Sequence, residues 1–159
     1  MSQAAAANSA NDTQPETPDE PGNGMPVGLP GGEALGLLQQ LPDWGSVVTI
    51  VLHGASVFEF KGEFPRGEEG SGYYNLDGPV PGFHGHLKLG AIDYIGFQER
   101  PHAGRASYAL TFNNFSQGNI FKVFLGRDTD GEVWPEQLQR FAALKRDALP
   151  LNILKEKTE

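Results

Sequence analysis

Apolar and polar side chains alternate through the middle of the chain at the two-residue period of a β-strand. Residues 47–52 form a β-branched run and residues 56–61 alternate, with Gly54 between the two segments. This pattern predicts a hairpin. Further strands are predicted at 72–76, 83–89, 91–98, 106–113 and 120–125, each bounded by Gly, Pro or Asn. Because the connections are short, we expect antiparallel neighbours.

Two segments have helical spacing instead. Residues 33–41 allow a short helix, which Pro42 ends because the residue before a proline disfavours helical dihedrals. Between residues 134 and 148 the large apolar residues recur at helical spacing, with Pro135 near the start and Lys145 and Arg146 near the end. The sequence therefore predicts an α+β fold, a mainly antiparallel β-sheet with a short N-terminal helix and a C-terminal helix.

The composition changes at about residue 32. Residues 1–32 are rich in Ala, Asn, Ser, Pro, Glu and Gly and have hardly a large apolar side chain before Met25, so burial cannot offset the entropy of ordering. We expect a disordered acidic low-complexity tail over 1–32 and a single domain over 33–155. The start of the chain lacks a signal-peptide pattern, and no apolar run is long enough to span a bilayer. This predicts a cytosolic protein without a membrane partner.

Charge and residue types exclude several function classes. The net charge is −8, and residues 1–40 contain no Lys or Arg, so much of the negative charge belongs to the predicted tail. The remainder is not basic enough to bind nucleic acid by neutralising phosphates. The absence of cysteine excludes disulfides, thiolate zinc sites and cysteine nucleophiles. No P-loop, Gly-x-Ser-x-Gly or His-Glu-x-x-His motif is present.

The predicted strand at 83–89 has an unusual polar face. Its two-residue period places His84, His86 and Lys88 on one side and apolar residues on the other. Such a face indicates a metal, an anionic or iron-bearing cofactor, or a solvated edge. Nearby, Glu68 and Glu69 lie in a Gly-rich segment typical of a solvated loop.

Several blocks of residues occur in an order that identifies a family. They are Trp44-Gly45-Ser46-Val47, Phe58-Glu59-Phe60-Lys61-Gly62, Gly72-Tyr73-Tyr74-Asn75-Leu76, Gly85-His86-Leu87-Lys88, Phe121-Lys122-Val123-Phe124-Leu125-Gly126-Arg127-Asp128 and the helix from Glu136 to Phe141. Together they make the chain similar to the intracellular heme carriers of the HutX/ChuX type. The resemblance implies a homodimer of packed antiparallel sheets with helices outside. It also implies that heme is bound as cargo in the bacterial cytosol and passed to a heme-degrading or storage partner.

Heme makes physical demands that the sequence can meet. The macrocycle needs an apolar wall, the iron needs an imidazole or a phenolate, and the propionates need cations or backbone donors. Candidates for the wall are strand residues, each with ordinary core packing as the alternative: Phe97, Leu110, Phe112, Phe121 and Val123.

Three residues are candidate axial ligands of the heme iron. Tyr73 either supplies a phenolate or belongs to a cross-strand aromatic pair. His86 either ligates iron, hydrogen-bonds a propionate or serves as a structural histidine at a strand end. His102 lies in a predicted turn between Arg100 and Arg105, which would favour bound carboxylates, and simple surface exposure is its alternative. His84 fits a solvated edge better than a ligand.

Cationic side chains are candidates to bind the propionates, because charge-assisted bonds to carboxylates are strong. They are Lys88, Arg100, Arg105 and Arg127. For Arg127 the alternative is a pair with Asp128 or a role in the dimer.

The sequence therefore predicts a cytosolic heme-binding protein that transfers heme and limits its free concentration. Two alternatives stay open. One is a heme-degrading or heme-reducing enzyme that needs an external electron donor. The other is a dimeric interaction module without ligand, whose histidines are structural.

Overall fold

The structure, a computed structural model, describes residues 26–158. The strands are β1 (Val27–Pro30), β2 (Ser46–His53), β3 (Ser56–Glu63), β4 (Arg66–Gly70), β5 (Tyr73–Gly78), β6 (Gly85–Lys88), β7 (Tyr94–His102), β8 (Arg105–Asn114), β9 (Gly118–Leu125) and β10 (Leu149–Pro150). The α-helices are α1 (Ala34–Gln40), α2 (Pro135–Arg146) and α3 (Leu151–Thr158), and short 3₁₀ turns cover Gly31–Glu33, Leu41–Trp44 and Leu89–Ala91.

The strands form two antiparallel sheets. The large sheet has the order β10-β1-β7-β8-β9-β2-β3, and the small sheet has the order β4-β5-β6. Three of the six pairs in the large sheet join consecutive strands of the chain, as hairpins do. The other three join β1 to β7, β1 to β10 and β9 to β2 across long segments. The predicted class, a mainly antiparallel sheet with a few helices, is confirmed.

The core lies between one face of the large sheet and a layer formed by α1, α2 and the small sheet. Alternate residues of the central strands, such as Ile95, Leu110 and Val123, are completely buried on this face. Leu37 and Leu38 of α1 belong to the same cluster, since they lie on the apolar side of that short helix. This burial supplies the main stabilisation of the fold.

Aromatic rings fill the space between the two sheets. Phe60 of β3 stacks on Phe83 with ring centroids 4.5 Å apart, and Phe64 contacts Phe83 edge-on at 5.8 Å. Phe64 also stacks on Phe121 at 6.5 Å, and Phe121 stacks on Phe112 at 4.3 Å. Phe64 and Phe121 belong to the same buried cluster as Tyr74 and Leu76 of β5, so the inner face of the small sheet packs on the large sheet.

A buried glutamine attaches α2 to the sheet. The Gln137 side-chain amide donates to the Trp44 and Ser46 carbonyls, each at 2.9 Å, and its Oε1 accepts from the Gly126 N–H at 2.7 Å. Since Gln137 is only 2% exposed, losing these bonds would leave buried polar atoms unpaired. The helix is therefore held at the start of β2 and just beyond the end of β9.

Most predicted elements are present with shifted ends. The β2–β3 hairpin closes at Gly54 and Ala55, as the pattern predicts. The strand predicted at 91–98 begins later, at Tyr94, and extends to His102. The strand predicted at 83–89 is shortened to Gly85–Lys88, because Leu89–Ala91 forms a 3₁₀ turn.

Three features differ from the prediction. The folded part begins before Glu33, since Val27–Pro30 pairs with both β7 and β10, while residues 1–25 of the predicted tail lie outside the described residues. Glu68 and Glu69 are in β4 rather than a loop, because they pair with β5 at the exposed edge of the small sheet. The C-terminal helix ends at Arg146, and β10 and α3 follow it.

Two glycine substitutions should separate close packing from helix propensity. In Gly126→Ala the added methyl group would overlap the Ser46 carbonyl oxygen, so we expect the free energy of unfolding to fall by about 1–3 kcal/mol. A methyl group added at Gly36 in α1 would meet no atom within 4 Å, so Gly36→Ala should raise the free energy of unfolding by about 0.5–1 kcal/mol. Urea denaturation measures both. Equal effects in the two variants would contradict the close approach at Gly126.

Candidate functional site

Four polar or aromatic side chains lie together on the outer face of the β5–β6 hairpin. Tyr73 pairs with Lys88 and Asn75 pairs with His86, and paired residues of antiparallel strands project from the same face. We call this surface, formed by Tyr73, Asn75, His86 and Lys88, the outer hairpin face. The intervening residues point the other way, and Tyr74 is only 1% exposed. The two-residue period predicted for His86 and Lys88 is therefore observed.

Tyr73 and His86 are diagonal neighbours on this face. Their ring centroids lie 6.5 Å apart and the ring planes are nearly perpendicular, at 84°. The Tyr73 side chain is 38% exposed, and His86 is exposed as well. A phenol and an imidazole, the two side-chain types that bind heme iron most simply, are thus available to a ligand on the surface.

Asn75 connects the three strands of the small sheet. Its Oδ1 lies 2.7 Å from Nδ1 of His86 on β6, and its Nδ2 donates to the Glu68 and Gly70 carbonyls of β4 at 3.3 and 3.4 Å. The sequence prediction missed this residue. A signal was present, because asparagine is depleted in strands and its occurrence in a strand block suggests a specific bond.

A second group of predicted site residues lies elsewhere. His102 is the last residue of β7 and pairs with Arg105, directly before the turn at Ala103 and Gly104. The expectation that His102 lies in a turn is therefore wrong. Since β6 leads through a 3₁₀ turn to the start of nine-residue β7, His102 lies about 27 Å further along that strand. Arg100, His102 and Arg105 do not join the outer hairpin face.

Two of the predicted cations have structural partners. Arg105 donates to the Asp130 carbonyl at 2.7 Å. Arg127 donates to the Gly131 carbonyl at 2.9 Å and to the Ala106 carbonyl at 2.6 Å. These bonds hold the segment after β9 against the start of β8. Lys88, in contrast, is exposed beside Tyr73 on the outer hairpin face.

The predicted apolar wall is part of the core. Leu110, Phe112, Phe121 and Val123 are buried, and Phe97 packs edge-on against Phe141 of α2 at 5.3 Å. Of the two interpretations that the sequence leaves open for these residues, ordinary core packing is the one observed, in one cluster with residues of α1, α2 and the small sheet.

Two grooves at the surface of the described residues are small. One of about 220 Å³ lies between β3 and residues 80–83, and one of about 290 Å³ lies beside the β7–β8 hairpin. Both are below the roughly 300–1,000 Å³ of pockets that enclose a small molecule. Neither includes a residue of the outer hairpin face.

None of the helices in the described part of the chain has the length and apolar content needed to cross a membrane.

Several solved structures have a similar fold. A crystal structure of ChuX superposes with a TM-score of 0.69 and 31% identity, covering 83% of this chain and 78% of that one. A protein from Agrobacterium tumefaciens gives a TM-score of 0.72 at 29% identity, covering 92% and 96% of the two chains. The heme degrading enzyme ChuS of Escherichia coli O157:H7 gives 0.64 at 16% identity, covering 77% and 37%, and shares the fold.

Sequence comparison identifies the family. The model of the Haem utilisation ChuX/HutX family matches residues 27–144, so the chain belongs to this family. The intracellular heme transport protein HutX of Vibrio cholerae serotype O1 is 42% identical over 116 residues. The match covers 73% of this chain but only 60% of the length of that relative. The resemblance to the HutX/ChuX family is confirmed.

The two adjacent tyrosines of β5 differ in environment, and this has a consequence at high pH. Burial raises the pKa of the Tyr74 phenol, partly opposed by a hydrogen bond from the Gly67 backbone. The unfolded chain therefore loses this proton first, and the native state should lose stability as the pH rises above about 10. We expect the stability of Tyr74→Phe to fall less steeply with pH over this range. Urea midpoints between about pH 9 and 11 measure it, and identical slopes for the variant and the parent would contradict the role of Tyr74.

Proposed function

We propose that this protein binds heme on the outer hairpin face and carries it inside the cell to a heme-degrading or storage partner. The observation that carries this proposal is the grouping of Tyr73, His86 and Lys88 on one exposed face of a ChuX/HutX family member. Support comes from the related HutX, an intracellular heme transport protein, and from the related ChuX, a heme binding protein.

Different residues of this face bind different parts of heme. Tyr73 or His86 supplies the axial ligand, since phenolate and imidazole both bind heme iron. Lys88 lies opposite Tyr73 and binds a propionate through a charge-assisted hydrogen bond. The face thus offers a ligand for the iron and a cation for one of the two carboxylates of heme.

Both candidate ligands lie on the same face, and this limits the coordination they can give. Side chains that project from one surface reach the porphyrin from one side only, so this protomer supplies a single axial ligand. The opposite axial position is left to water or to a second protein. A cargo held in this way is released when an acceptor offers its own ligand.

We also propose that the protein acts as a homodimer. The outer hairpin face is polar and open, and the apolar residues of the interior are already packed in the core. A second copy of the chain covers the exposed side of the macrocycle in this proposal. This proposal agrees with the dimer that the family resemblance implies.

Hemin titration followed by Soret absorption tests the site. We expect saturable binding by the parent protein. In Tyr73→Phe or His86→Ala the affinity should fall roughly tenfold or more, a loss of about 1.4 kcal/mol or above. His102→Ala is a matched control, since it removes a histidine at the far end of β7, outside the proposed face, and should leave the affinity unchanged. No loss in either site variant would overturn the assignment and favour an interaction module without ligand.

Exposure of the heme complex to a reductant and oxygen, with catalase present, distinguishes a carrier from an enzyme. A carrier should keep its Soret band largely unchanged and release no iron. Loss of the Soret band together with bilin formation would contradict transport as the function. Tyr73→Phe, compared under the same conditions, shows whether any loss depends on the outer hairpin face.

A further inference from the structure

The orientation of the Asn75 side chain is determined by three hydrogen bonds. Its amide nitrogen faces two carbonyl oxygens of β4, at Glu68 and Gly70, and can only donate to them. Rotating the amide by half a turn would place its oxygen against both carbonyls and lose both bonds. The amide oxygen is therefore the atom that faces His86 at 2.7 Å.

This orientation determines where the imidazole proton lies. An amide oxygen only accepts, so Nδ1 of His86 must donate to it. A neutral imidazole carries one N–H, and the other nitrogen then has the lone pair. In the neutral ring of His86 the lone pair is consequently on Nε2.

We propose that Asn75 is a positioning residue that holds His86 as the Nδ1–H tautomer and so presents the Nε2 lone pair on the outer hairpin face as the atom that engages bound heme. The role in heme binding rests on the proposed function, whereas the tautomer is a property of the protein alone. Metal-binding histidines are commonly oriented by a partner on their other nitrogen, and Asn75 is placed as such a partner. It does so from β5, while its own amide is anchored on β4.

Nitrogen NMR of the heme-free protein tests the tautomer. The chain has four histidines, so ¹⁵N-labelled imidazole signals can be assigned with single His→Ala variants. In the signals of the neutral imidazole we expect His86 to show a protonated Nδ1 and a bare Nε2. Asn75→Ala should shift His86 toward the other tautomer and leave His53, His84 and His102 unchanged. A protonated Nε2 in the parent protein would overturn the proposal without any variant.

Glu68→Ala is the matched control. It removes an exposed side chain from the same part of the sheet but keeps the carbonyl that Asn75 uses. The His86 tautomer should be unchanged in this variant. A shift equal to that of Asn75→Ala would overturn the proposal, because the effect would then not come from the Asn75 amide.

A double-mutant cycle with hemin tests whether Asn75 acts through His86. Asn75→Ala should weaken hemin binding roughly tenfold, and the same substitution in a His86→Ala background should cause no further loss. Equal losses in both backgrounds would overturn the positioning role. If the parent protein does not bind hemin, the proposed function fails, and the NMR result still decides the tautomer.

Discussion

The packing of aromatic rings between the two sheets determines which side chains reach the surface. Phe60, Phe83, Phe64 and Phe121 form a continuous run of ring contacts from β3 to β9. Tyr74 and Leu76 of β5 are buried in the same cluster as Phe64 and Phe121. One face of the β5–β6 hairpin is therefore committed to the core. Because side chains alternate along a pleated strand, the other face must meet solvent. The arrangement of the candidate site is thus a consequence of apolar packing on the opposite side.

Local patterns predicted much of the fold, whereas long-range partners could not be predicted from them. The alternation around His86 and Lys88 is a property of one segment, so the sequence was enough to place both on one face. The bond between Asn75 and His86 depends on the register of two strands, which only the folded hairpin determines. Strand β4 is polar and lies at an edge, so it carries no apolar period that could reveal it.

The two interpretations of the predicted apolar wall have a related cause. Phe112 and Phe121 have the size and character that a porphyrin pocket needs, but the same character suits a protein core. The elements that cover them, α1 and α2, come from opposite ends of the domain. A periodic strand shows that one face is buried without showing what buries it. Composition alone therefore could not separate a ligand pocket from tertiary packing.

The position of β1 determines when one edge of the large sheet can form during synthesis. This strand lies between β7 and β10, and the Leu151 N–H donates to the Pro26 carbonyl at 3.1 Å. Residues from the two ends of the domain thus close the same edge of the large sheet. During synthesis β1 leaves the ribosome first but must wait for β7, and β10 emerges only after the rest of the sheet. Nascent chains consequently expose an unpaired β1 edge until β10 emerges, and such edges invite association with other chains.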